Sequence, residues 1–164
     1  MSILLLATSQ RVRNSYGIEP TATTPIVATA DWFRFWRVDT RKIRRHGTIA
    51  LFTNLETLYT LVADARKWRN ASDLQQHFLD RFGEVFAGHF GYTRDVKDRV
   101  LLHRAVDQSA VGVMNTFFHD LEYYEARPLA ELERALNATP IVARNLFPKD
   151  RLSELLSKAA EPRG

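Results

Sequence analysis

Asn115, His119 and Glu122 lie four and three residues apart. In a helix that spacing places them on one face, a turn from one another. His103 stands a little upstream. Together they offer imidazoles that titrate near neutrality, a carboxylate, and an amide to orient a substrate. A small hydrolase or transferase would use such a set. The structural alternative is a rim of polar side chains satisfied by backbone groups, and nothing in the sequence brings His103 to the others.

A second set is cationic. From Arg34 to Arg45 six cations (Arg34, Arg37, Arg41, Lys42, Arg44, Arg45) meet one anion, Asp39, a local excess of five positive charges. The whole chain carries +4 at pH 7, so the remainder is close to neutral. A concentrated patch steers polyanions where diffuse charge does not. Trp32, Phe33, Phe35 and Trp36 flank these cations. Arginines could hold phosphates while such rings stack on bases. Alternatively the rings are core and the arginines an ordinary solvated loop. The leading expectation is a non-enzymatic binding or regulatory module. Its basic β-hairpin would contact an anionic partner, nucleic acid or an acidic protein. The hydrolase or transferase comes second, and a structural or assembly protein using the C-terminal helix third.

Other chemistries lack their residues. There are no cysteines, so disulfides and thiolate metal sites are excluded. His46, His77, His89, His103 and His119 include no pair three or four apart, so no local two-histidine metal motif exists and no metal is expected. The seven glycines are dispersed, without a phosphate-cradling loop, and no serine nucleophile elbow or nucleic-acid-binding motif is present. No cofactor is expected. Ile3–Ala7 is too short for a secretory or membrane-spanning segment, which predicts a soluble cytoplasmic protein.

The elements that must position these residues follow from patterning. A chain of 164 residues suits one domain burying roughly two thirds of its unfolded surface. Ile3–Ala7 reads as a strand. Ser9 and Gly17 bracket a short helix. Glu19–Thr29, with two prolines, reads as an extended connection. Trp32–Val38 and Thr48–Thr53 are predicted as hairpin strands around a long turn, Asp39–Gly47. Asn54–Glu56 reads as a tight turn, and Thr57–Ala63 as a third strand of the group. Ser72–Phe90 is predicted helical, with Ser72 and Gln75 as a capping box and Gly91 as its stop. Asp95–Arg99 reads as a helical turn and Val100–Val106 as a strand. A helix from Ser109 to Ala126 contains Gly112, whose cost in a helix suggests close packing there. Pro128–Leu136 reads as a short helix that Asn137–Pro140 ends, and Leu152–Ala159 as a terminal one that frays at Pro162–Gly164. The predicted fold is α+β: an antiparallel sheet of about five short strands packed by two main helices. Residues 1–147 form the domain and 148–164 a helical tail.

Four landmarks occur in order: Asp31-Trp32, LFTNLETLY at Leu51–Tyr59, SAVGVMN at Ser109–Asn115, and LNATP at Leu136–Pro140. With an apolar strand ahead of them, they resemble a bacterial domain-of-unknown-function family of small standalone proteins. The resemblance covers roughly Ile3 to Pro140 and implies a compact α+β fold. Members usually show arginine and serine before the small-residue helix start and aspartate after its asparagine. Here those places hold Gln108, Ser109 and Thr116. The resemblance brings no catalytic residues.

Overall fold

A computed structural model describes residues 4–19, 29–86, 100–105, 110–124 and 127–160. Strand β1 (Leu4–Thr8) is buried along its whole length, because it lies inside a five-stranded sheet with neighbours on both sides. Ser9 then starts helix α1 (Gln10–Tyr16): its side chain accepts the Val12 N–H, and Gly17 closes the helix at φ 63°.

The strand expected to begin at Trp32 begins instead at Phe35. Thr29–Arg34 form a 3-10 turn, tied to the strand by the Trp36 indole, which donates to the Phe33 carbonyl at 2.7 Å. Strand β2 (Phe35–Ile43) runs through most of the segment expected to be a long turn. It pairs antiparallel with β3 (Gly47–Asn54), Ile43 opposite Gly47, so the hairpin turn is only Arg44–His46. Strand β4 (Thr60–Asp64) pairs antiparallel with β3, and β5 is Val100–Arg104.

The order is β4-β3-β2-β1-β5. The expectation of an antiparallel sheet is corrected here: the sheet is mixed, with β1 parallel to both β2 and β5. Hairpin turns join only β2, β3 and β4. Helices intervene between β1 and β2, and before β5, and parallel pairing requires connections of that length.

Helix α2 (Ala71–Phe86) covers one sheet face, where Trp36, Phe52, Phe78, Phe82 and Phe86 share a core with Leu4, Leu6 and Val12. Phe52 and Phe78 have ring centroids 4.9 Å apart. The α2 cap is Asn70 rather than Ser72: its Oδ1 accepts the Asp73 N–H at 3.0 Å. Gln75, expected in the capping box, donates instead to the Val100 carbonyl of β5 at 3.1 Å. Helices α3 (Val111–Tyr123) and α4 (Leu129–Asn137) cover the other face, burying Ile49, Leu51 and Val62 against Phe117 and Leu132. Helix α5 (Pro148–Ala160) inserts Leu152 into the first core. No described helix is long and apolar enough to cross a membrane. Gly91, Asp95–Arg99, Ser109, Ala126 and Pro162–Gly164, and most of the Glu19–Thr29 connection, lie outside the described residues.

Candidate functional site

Successive strand residues point to opposite faces, and that alternation sorts the six hairpin cations. Arg37 is 7% exposed, and Arg34 is half-buried in the 3-10 turn; both have partners within the protein. Arg41, four residues beyond Arg37, faces α3. A guanidinium N–H donates to the Asn115 side-chain carbonyl, and the guanidinium carbon sits 4.8 Å from the Phe118 ring centroid. Lys42, Arg44 and Arg45 are exposed. The concentrated patch expected over Arg34–Arg45 is therefore reduced to the hairpin tip, because β2 turns Arg37 and Arg41 toward covered surfaces and Arg34 lies in the 3-10 turn before it.

Two of the four flanking rings are interior, and the other two, Trp32 and Phe35, are half-buried. Trp36 is 0% and Phe33 8% exposed, and Trp36 packs edge-on against Phe78, Phe82 and Phe86. Neither presents a stacking face at the surface.

Two of the acid–base candidates hold this hairpin in place. Asn115 takes Arg41, and Glu122, two turns further along α3, accepts the Arg44 backbone N–H at 3.2 Å. Between them His119 is exposed, its ring 4.9 Å from that of Tyr123 and its Nδ1 3.9 Å from Asp120 Oδ1. His103 is buried in β5 with Nδ1 3.2 Å from the Arg104 carbonyl. Burial pushes its pKa below the ordinary value, against a smaller upward pull from that carbonyl. Strand β1 separates β5 from β2, the strand that α3 lies against. Among the described residues, hydrogen bonds join Asn115 and Glu122 to the hairpin; none joins either to His103 or His119. No group of three or more His, Asp or Glu among the described residues is placed to hold a metal ion.

The model of a family described as a domain of unknown function, DUF6933, matches residues 5–151. The chain belongs to the DUF6933 family. No curated protein and no solved structure matches it.

The landmarks that pointed to this family do structural work in the DUF6933 fold. Within LFTNLETLY, Asn54 is fully buried. Its Oδ1 accepts the Glu56 and Thr57 N–H groups and the Thr57 hydroxyl, and its Nδ2 donates to the Trp32 and Phe35 carbonyls. One amide thus fixes the β3–β4 turn and the entry to β2. Within LNATP, Asn137 accepts the Thr60 N–H and donates to the Thr60 carbonyl, both at 2.8 Å. One turn earlier, Glu133 accepts the Val62 N–H at 2.7 Å. Helix α4 thereby satisfies the outer edge of β4, a row of backbone groups that would otherwise invite another strand. Arg81 of α2 holds the Glu133 carboxylate with two bonds, at 2.5 and 2.6 Å. Gly112, in SAVGVMN, corrects an expectation: a Cβ there meets no described atom within 4 Å, so close packing is not its reason.

Sequence reading missed Arg66 and Arg127, which the fold brings beside Arg45 and His46 at the hairpin tip. Both stand outside the basic run, and only tertiary structure unites them with it.

Proposed function

We propose that this DUF6933 protein is a non-enzymatic binding or regulatory module that contacts an anionic partner, nucleic acid or an acidic protein, through the tip of its β2–β3 hairpin. The observation that carries the reading is the exposure of Lys42, Arg44 and Arg45 at the end of a hairpin that α3 braces through Asn115 and Glu122. A braced turn loses less conformational freedom on binding than a loose loop. With Trp36 and Phe33 in the core and Trp32 and Phe35 half-buried, the contact works chiefly through charge on the partner's backbone or side chains rather than through stacked bases. The hydrolase or transferase reading has less support, since Asn115 and Glu122 are engaged by the hairpin.

The test is binding of a fluorescently labelled single-stranded oligonucleotide, with an acidic peptide in parallel, to wild type and to Lys42→Glu/Arg44→Glu/Arg45→Glu. All three side chains are exposed, so circular dichroism should show the fold retained. Loss of binding of at least tenfold to one of the two probes is expected. Unchanged binding by a folded triple variant, or no binding to either probe by wild type, contradicts the proposal.

A further inference from the structure

Beside the hairpin turn lies a cleft of about 400 Å³ lined by Arg45, His46, Asp64, Arg66, Arg127 and the start of α4 at Pro128–Leu129. Its size falls at the lower end of small-ligand sites. Among the described residues that line it, three arginines stand against one carboxylate, Asp64, an excess of two positive charges. That carboxylate is already engaged: Arg66 Nε lies 3.0 Å from both Asp64 oxygens, and its Nη2 2.6 Å from Oδ2. Asp64 therefore fixes Arg66 in place without cancelling Arg45 or Arg127.

Other features converge on the same cleft. Gly47 holds φ 73°, and a Cβ there would come within 2.5 Å of Arg66 Cδ and 2.9 Å of its Cγ. Glycine at this turn thus leaves a passage for the Arg66 stem. Helix α4 begins at the cleft with Pro128 as its N-cap, and no side chain caps its first N–H groups. Open helix N-termini favour anions through those N–H groups and the helix dipole. His46 Nε2 is buried without a hydrogen-bond partner. Arg127 is exposed, its guanidinium 5.8 Å from the Tyr124 ring centroid.

We propose that this cleft binds a phosphate monoester, the phosphate dianion matching the two uncancelled charges. Arg127 and Arg45 supply paired guanidinium N–H donors, and the α4 N-terminus supplies backbone N–H groups, while the charge of Arg66 is balanced by Asp64. The inference deepens the reading above and shares Arg45 with it; Lys42 and Arg44 serve the polyanion surface alone. The phosphate could be carried by a small metabolite or by the 5′ end of a nucleic acid, and the two sources are separable.

The experiment is calorimetric titration of the full chain with inorganic phosphate at constant ionic strength, chloride being the balancing anion. It is run on wild type, Arg127→Gln and Arg127→Lys, and repeated with oligonucleotides of one sequence ending in 5′-phosphate or 5′-hydroxyl. Saturable phosphate binding is expected, weakened about tenfold or more in Arg127→Gln, as for a lost charge-assisted bond. Arg127→Lys should recover only part, since lysine keeps the charge and loses the planar fork. A nucleic-acid source predicts tighter binding of the 5′-phosphate oligonucleotide and no such preference in Arg127→Gln; a small-molecule source predicts phosphate binding with no end preference. No saturable phosphate binding by wild type, or equal binding by Arg127→Gln, overturns the proposal. Phosphate binding could be lost while 5′-hydroxyl oligonucleotides still bind through Lys42 and Arg44, so failure of this site is distinct from failure of the hairpin reading.

Discussion

Single amides carry much of the local order. Asn54 both donates and accepts from a fully buried position. Asn54→Asp keeps the shape but removes both donors and sets a carboxylate near two carbonyls. A loss of about 2–4 kcal/mol is expected, read from urea denaturation, and a loss under about 0.5 kcal/mol would show that the amide donors matter little. His103 makes a prediction with a sign. Its folded pKa lies below the ordinary 6.5, chiefly through burial. Just below pH 6.5 the unfolded chain therefore holds more protons at this site than the folded one. Stability contributed here is complete above pH 6.5 and falls as the pH drops toward the folded pKa. His103→Gln should flatten that part of the stability–pH curve relative to wild type, and an unchanged slope would argue against it. Some residue roles were legible from sequence: Ser9 and Gly17 act where their types suggest, because capping is decided within a few residues. Asn137 was legible only as a helix end. Its bonds to Thr60 join distant parts of the chain, and no local pattern announces them.

At the scale of elements, the hairpin and α3 behave as one unit. Sequence reading located both strands of the hairpin but started β2 too early and ended it too soon. Aromatic residues at Trp32 and Phe33 look like strand, yet Asn54 and the Trp36 indole draw their carbonyls into a 3-10 turn. The basic stretch looks like loop, yet Thr40 and Ile43 bury within β2. Gly47→Ala tests the turn: a φ of 73° disfavours any Cβ, and the new methyl would also meet the Arg66 stem. A cost of about 1–2 kcal/mol is expected by thermal or urea unfolding. Gly112 predicts the reverse. It is exposed within α3 with open space at its Cβ position, so Gly112→Ala should stabilise by up to about 1 kcal/mol through helix propensity alone. Destabilisation there would reveal a packing role that the described residues do not show.

For the whole molecule, the α+β class followed from the alternation of strand-like and helix-like runs. Strand order did not, since parallel partners of β1 leave no turn between them to read. Charge is the property that crosses all scales here. The local excess of five around the hairpin is thinned by burial to the exposed tip cations Lys42, Arg44 and Arg45. The most direct measurement is the affinity of the wild-type protein for a labelled single-stranded oligonucleotide, and for an acidic peptide, across a series of salt concentrations. If three tip cations neutralise phosphates on a single strand, the plot of log affinity against log salt should fall with a slope near −2. The acidic-peptide curve should fall with salt as well if a protein is the partner. Binding that is flat across salt for both ligands, or absent at low salt, would contradict the account.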